Sequence, residues 1–473
     1  MKRVVVAGGG LSGLAAAWAV AEEASRLGEP VDVLVLEREA VPGGKIRSER
    51  CGGFLCEAGP NGFLDNKPST LALSHRLGMG EALLRSNDGA RRRYIFVGGQ
   101  LKALPEDPVS FLLSDLLSIR GKLRLAAELL LPQGDPDEDE SVAAFVRRRL
   151  GEEVLDKLID PMSAGIYAGD PNVMSLRSSF PRVHQLEQQF GGLIRGMLAL
   201  QKMAKASGRA GPQGAGPGGV LWSYREGTAE LIRWLADRLT PERVRTGVEA
   251  AALERRGQGW RVRLGTGEAV DADAVVLAVP AYDGARLLGP LDGRLADLLH
   301  AIPYVPAAVV CTGFPASAVP RALDGFGFLI PRSEGRRILG SLWSSSIFAG
   351  RAPGGHVLLT QIVGGARNPE LVGLGDDELA AVVREELRVT MGIEAEPSFL
   401  WIRRWTRAIP QYVVGHGERL AEIEERVRAL GPVFLAGNAF YGIGINDCTA
   451  RAEALGPEVA ARVLGRAGGG DGA

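Results

Sequence analysis

Cysteine and histidine are scarce in this chain, and their scarcity removes whole classes of chemistry. Four cysteines (Cys51, Cys56, Cys311, Cys448) in 473 residues are too few for a disulfide scaffold. Cys51 and Cys56 have neither a second pair nor a histidine cluster beside them, so reduced core thiols are expected rather than a zinc site. His75, His184, His300, His356 and His416 show no metal-ligand spacing, and no metal is expected. A G-x-S-x-G elbow and an H-E-x-x-H pair are both missing. So is an excess of either charge. With 55 Lys+Arg against 56 Asp+Glu, no basic surplus is available to release counterions from phosphate, which argues against a nucleic-acid partner. Met1-Lys2-Arg3 runs straight into a strand, and no run of about 18 uncharged apolar residues follows anywhere. Neither a signal peptide nor a transmembrane helix is expected, and a cytoplasmic protein is.

What the chain has is glycine in particular places. Arg3 to Ala7 is a short apolar run of the kind that suits a central parallel strand. Gly8, Gly10 and Gly13 then give G-x-G-x-x-G, followed by the helix-forming Leu14-Ala15-Ala16-Ala17. The first glycine permits the tight turn, the second lets backbone approach a pyrophosphate, and the third lets helix and strand pack closely. The helix N-terminus adds free N–H groups and partial positive charge for the phosphates. A second strand, VDVLVLE, ends in Glu37, about 20 residues on as a ribose contact requires. An acid there favours an unphosphorylated ribose, hence NAD or FAD over NADP. Gly43-Gly44, Lys45 and Arg47 follow at once, then Gly59-Pro60-Asn61-Gly62. Adenosine and pyrophosphate are already satisfied by the first turn, so further close-approach glycines imply a ligand that continues to a large ring. FAD is the better expectation.

The far end of the chain repeats the shape. FLAGNAFYGIGINDC is an apolar strand, a glycine turn and a helix start, and it would bind the ribityl and flavin half of the same cofactor. Both ends then belong to one sheet, with everything between inserted into it.

These segments resemble the flavin-containing amine-oxidase superfamily. Within it, RRRYIFVGGQLKALP, SAGIYAGDPNVMSLRSSFP, YREGTAELIRWLADRL, FGFLIPRSEGRRILGSLWSS and AIPQYVVGHGERL resemble the oxygen-dependent protoporphyrinogen oxidases, in consistent order over nearly the whole chain. The resemblance implies an α/β protein: a Rossmann-like FAD-binding domain of the amine-oxidase type, an inserted mixed-sheet substrate domain and an inserted helical membrane-associating domain. The expected divisions are 1–82, 221–280 and 407–473 for the FAD domain, 83–107 and 281–406 for the substrate domain, and 108–200 for the helical domain. Residues 201–220 would be a loop with a second piece of the substrate domain. Leu112, Leu116, Leu123, Ala127 and Leu130 fall at helical spacing with Arg120, Lys122 and Arg124 interleaved. Such a stripe faces either a core or, as the resemblance favours, the surface of the cytoplasmic membrane. Ser141 reads as an N-cap, GDPDEDE (134–140) as a solvated loop, and 207–219 and 465–473 as low-complexity segments.

The glycine turns and the resemblance together assign the cofactor to Gly8, Gly10, Leu11, Ser12, Gly13, Glu37, Arg38, Gly44, Lys45, Gly59, Pro60, Asn61, Gly62, Val248, Trp405, Ala439, Gly444, Ile445 and Asn446. For the substrate, the resemblance implies a porphyrinogen. Arg93 matches its propionate-binding arginine, Gly165 a carbonyl facing the ring, and Leu329 with Ile362 an apolar grip. Asn61 matches a position where some members carry arginine, so a second cation there is in doubt. The implied chemistry is hydride transfer to flavin N5, with dioxygen as acceptor and three rounds to the aromatic porphyrin. No side chain is indicated as an acid or base.

Alternatives stay open at this point. Arg91–Arg93 also reads as a solvated basic turn, and Leu329, Ile362 and Trp405 as plain core. Coproporphyrinogen III would use the same fold. An amine oxidase would want an aromatic cage, for which the closing segment offers only Phe440 and Tyr441. A redox-silent escort protein would keep the fold alone. A homodimer also remains open.

Overall fold

A computed structural model describes residues 1–105, 107–206 and 219–466. Apart from Gly219, Gly465 and Arg466, the two low-complexity segments lie outside them.

The two chain ends meet in one five-stranded parallel sheet, ordered Val244–Thr246, Asp32–Glu37, Arg3–Ala7, Ala274–Leu277, Val433–Leu435. Its central strands are runs of valine, alanine and leucine buried on both faces, as a parallel sheet covered by helices requires. The helices that follow the two glycine turns, Leu11–Arg26 and Ile445–Leu464, pack against each other on one face. Their approach is so close that a Cβ at Gly456 would lie 2.8 Å from the Ala19 carbonyl oxygen. A three-stranded antiparallel layer, Ala250–Arg256, Gly259–Leu264 and Ala269–Ala272, covers the other face through Trp260, Val262 and Leu264. Its first hairpin turns at Gly257-Gln258.

The inserted sheet has seven strands, ordered Phe399–Pro410, Tyr304–Pro315, His356–Gly364, Ile338–Leu342, Gly325–Leu329, Arg92–Val97, Gln100–Ala103. It is mixed, because Gly325–Leu329 and Arg92–Val97 run parallel while the other neighbours are antiparallel. Helix Asp376–Met391 lays Leu379, Val383, Leu387 and Met391 on one face.

Between the sheets lies a helical region. Its apolar stripe is not one helix. Pro108–Leu113 ends early, and Ile119–Ala126 begins afresh with the Ser118 hydroxyl accepting from Gly121 N at 3.0 Å. Consequently Leu116 is buried while Leu112, Leu123 and Leu130 are exposed. The helix Leu193–Ala206 also runs past the expected boundary at 200. Ser141 caps Val142–Arg149 through Ala144 N, as read. The acidic loop is not simply solvated, however. Asp139 accepts from Ser175 Oγ at 2.5 Å and from Gly415 N at 2.8 Å, so it ties the start of the Leu176–Ser179 turn to the segment around Gly415. The thiols correct another expectation: Cys51 is exposed, since it sits at the hairpin end of Ser48–Cys51 and Phe54–Glu57. All four cysteines are free. Among the described residues no helix is long and apolar enough to cross a membrane, and no acid, histidine or cysteine cluster could hold a metal.

Candidate active site

The first glycine turn is closed by backbone. Gly8 N donates to the Leu36 carbonyl at 2.8 Å, and Gly43 N donates to the Gly9 carbonyl at 2.9 Å, so the Gly43-Gly44 loop folds onto the turn. A Cβ at Gly13 would lie 1.9 Å from the Gly8 carbonyl oxygen, which makes glycine obligatory for helix and strand to meet. At Gly10 the same test finds nothing nearer than 4.0 Å. That open space, beside a helix that starts with no side-chain cap, is what a diphosphate would fill. Glu37 is buried, with one carboxylate oxygen on Gly9 N at 2.8 Å and the other on Glu39 N at 2.9 Å. Each oxygen keeps an acceptor site for a ribose hydroxyl. Arg38 pairs with Asp283 at 3.1 Å, and Val248 N donates to the Glu37 carbonyl at 2.9 Å. These residues fit an FAD.

Lys45 lies across the ring of Tyr304, 5.3 Å from its centroid. Burial pushes its ammonium down to about 8, against the opposing pull of Asp283. At Gly59 and Gly62 the room for a side chain is taken by the carbonyls of Lys45 and Trp222, at 2.4 and 2.3 Å, so chain packing itself demands both glycines. Trp405 Nε1 donates to the Ala58 carbonyl at 2.7 Å, which brings that indole to the same turn. Pro60 is tied by Thr228 Oγ1 at 3.3 Å.

The keystone of this turn is Glu57, which sequence reasoning missed. It accepts from Ser48 Oγ at 2.6 Å, Thr228 N at 3.0 Å and Thr228 Oγ1 at 2.7 Å, and stands 3.6 Å from the buried Arg351. Burial pushes its carboxyl above the ordinary range, against the pull of Arg351 and these hydrogen bonds. A signal was available: Glu57 ends an apolar strand just before a glycine turn, as Glu37 does.

The closing turn reaches the same place from the other end. Ser12 and Cys448 face each other across the two helix starts, and Ala439, Ile445 and Leu11 are buried beneath. Gly444 N donates to Asp447 at 3.1 Å. Asn446 is a strut, donating to the Leu64 carbonyl at 2.7 Å and accepting from Thr70 N at 3.3 Å. Phe440 and Tyr441 form no parallel cage. Their rings are inclined by 52°, and Tyr441 is held by Glu424 and Arg451.

Three of the substrate-side residues come together. The side chain of Leu329 lies 2.8 Å from where a Cβ at Gly165 would be, and Ile362 is the register partner of Gly340, against which Leu329 also rests. Arg93 pairs in register with Gly327, two residues before Leu329, with its guanidinium 5.8 Å from the Phe326 ring centroid. Arg91 and Arg92 are paired with Asp88 and Asp324. Asn61 carries a buried Nδ2 without a hydrogen-bond partner. A separate cleft of about 530 Å³, lined by Pro42, Ile46, Arg47, Arg233 and Arg403, does not include the glycine turns in its walls.

With this geometry established, comparison with known proteins is informative. The family described as flavin containing amine oxidoreductase matches residues 11–454. Coproporphyrinogen III oxidase of Bacillus subtilis (strain 168) is 32% identical over 94% of this chain and 95% of its own. The chloroplastic protoporphyrinogen oxidase of Oryza sativa subsp. japonica is 35% identical over 94% of this chain and 85% of its own. Among solved structures, an Exiguobacterium sp. 255-15 protein provisionally named a protoporphyrinogen oxidase superposes with a TM-score of 0.81 at 28% identity, covering 97% of this chain and 98% of that one. Reduced UDP-galactopyranose mutase superposes at 0.71 with 17% identity over 98% and 95%, a likeness of fold alone.

Proposed function

This chain belongs to the flavin containing amine oxidoreductase family, and we propose that within it the protein oxidises protoporphyrinogen IX to protoporphyrin IX. FAD is the cofactor, and the two terminal turns are its cradle. When bound, FAD supplies the hydride acceptor, and dioxygen as final acceptor yields hydrogen peroxide in each of three two-electron rounds.

The observation that carries this reading is the apolar wall where Leu329 closes on the bare backbone of Gly165 beside Ile362. A wide, flat, mostly apolar ring suits such a wall, and its reduction state changes without any side-chain nucleophile. Arg93 offers a guanidinium fork to a propionate. The unpartnered amide of Asn61 offers one further donor. The exposed leucines of the helical region would rest on the cytoplasmic membrane surface. Leu113 is 81% and Leu130 is 85% exposed, and a membrane surface would cover both.

Relatives named for coproporphyrinogen III keep that substrate, with its extra carboxylates, as the second reading. Porphyrin fluorescence with each porphyrinogen, alongside oxygen uptake, decides between them; protoporphyrinogen IX should be the faster. Arg93→Ala should lose about 2 to 4 kcal/mol of substrate binding, read as a raised KM. An unchanged KM removes Arg93 from the site, and yellow protein that turns over neither porphyrinogen ends the proposal.

A further inference from the structure

We infer that residues 411–416 form a strap holding the slot wall in register with the closing glycine turn, with Gln411 and Tyr412 as its positioning residues. The inference rests on the function proposed above.

The edge strand Phe399–Pro410 ends where this strap begins. Gln411 is buried, and its Nε2 donates to the Tyr167 carbonyl at 2.9 Å. Tyr167 is the last residue of the helix Asp160–Tyr167, which carries Gly165. A helix end leaves carbonyls without partners, and here the chain leaves the helix at once through Ala168, a non-glycine residue at φ 48°. Gln411 therefore supplies, from outside, the acceptor satisfaction that this abrupt stop removes. Its own N–H is anchored on the Pro303 carbonyl at 2.8 Å.

The next residue serves the other side. The Tyr412 hydroxyl donates to the Asn438 carbonyl at 2.7 Å and accepts from Gly442 N at 2.8 Å, so one oxygen fastens both ends of the turn that faces the flavin. The ring cannot swing away. It is stacked on His416 at 4.2 Å and 14°, and Tyr167 meets it edge-on at 6.2 Å. Burial pushes the His416 imidazole down to about 4, so the stacked plate is neutral at neutral pH. The Tyr412 carbonyl accepts from Ser175 N at 2.8 Å, which pins the strap to the helical region as well.

Adjacent Cα atoms are about 3.8 Å apart, so the two anchors cannot drift independently. A shift of the helix bearing Gly165 must appear at the 438–442 turn. Neither side chain is placed at the reacting atoms; both set the distance between the groups that are.

The test uses FAD-loaded, full-length protein. Tyr412→Phe keeps the ring and its stack while removing both hydroxyl contacts. It should shift the visible flavin band and the flavin midpoint potential, and lower kcat about tenfold with KM held within about twofold. Gln411→Met keeps side-chain length but loses the donor to Tyr167. It should raise KM about fivefold and leave the flavin spectrum as it was. Spectrum and potential need no porphyrinogen, so they report on Tyr412 even if the substrate assignment fails. A Tyr412→Phe protein with wild-type spectrum and potential overturns the inference. So does a pair of variants that lower only the melting temperature. If Tyr412→Phe does not fold, the Gln411→Met arm decides, and an unchanged KM there overturns it too.

Discussion

The central parallel sheet and the helical region are held together differently. In the sheet, Val4, Val5, Val6, Val33, Val35 and Ala274 are fully buried and ion pairs such as Lys2–Asp273 sit at the exposed edge, with the buried acids Glu37 and Glu57 confined to the glycine turns. The helical region has an apolar cluster of its own, including Phe145, Val146 and Leu155, but it buries Arg149, Glu128 and Glu187 beside that cluster, while Leu113, Ile119 and Leu130 stand outside. Burying a charge costs several kcal/mol unless every partner is supplied, so these buried charges need a reason. The hydrogen bonds give one. Glu128 accepts from Leu193 N at 2.8 Å and Ile194 N at 3.2 Å, at the start of the helix Leu193–Ala206. Arg149 donates to the carbonyls of Pro132 at 2.8 Å and Gly191 at 3.1 Å. The charges act as internal caps for segments whose leucines are turned outward. The sheet is held by close packing, the helical region by close packing and buried ion pairs together.

The comparison breaks most visibly at its polar end. Arg149→Met leaves Glu128 buried without its cation, while Glu187 keeps Arg148, and should cost about 3 to 5 kcal/mol, measured by denaturant unfolding. A neutral result would show that the helical region stands on its apolar contacts after all. At the sheet, Gly13→Ala forces a methyl into the Gly8 carbonyl and should cost about 3 kcal/mol. The ratio of flavin to protein absorbance should fall with it; a variant that stays yellow and stable would refute the close approach. Leu113→Glu and Leu130→Glu sharpen the contrast from outside. Each should weaken binding to anionic vesicles by about 1.5 kcal/mol without changing the unfolding midpoint, because neither leucine is buried in the protein. Loss of stability instead would mean that these side chains already have a protein partner.

The same contrast explains what could be read in advance. Cradle motifs are local: a strand, a glycine turn and a helix lie within about 20 residues, and Glu37 follows at a spacing set by the ribose. Glu57 escaped because its partners Ser48, Thr228 and Arg351 come from three separate segments. The stripe from Leu112 to Leu130 misled for a different reason. Periodicity assumed one continuous helix, whereas the chain breaks after Leu113 and Ser118 caps a new helix, so Leu116 and Leu117 in the break turn inward while Leu112, Leu123 and Leu130 do not. Tyr412 shows no pattern in sequence at all, since its worth lies in reaching Asn438 and Gly442.

Lys45 gives the smallest effect and the finest test, because it puts a titratable cation beside the glycine turns. Burial sets it near 8 in the folded chain, against an ordinary 10.5. Between those values the unfolded chain holds a proton that the folded chain has lost, so stability of the FAD-free protein should rise with pH across that window. Cofactor affinity should move the other way. The diphosphate favours the ammonium, so binding should be level below about 8 and weaken above it, by at most about tenfold per pH unit. Flavin-fluorescence titrations and urea unfolding from pH 6.5 to 9.5, about the ordinary range for such work, read both slopes. Lys45→Met should flatten the two together; flattening only the stability slope would place the diphosphate away from this lysine and leave the phosphates to backbone N–H groups alone.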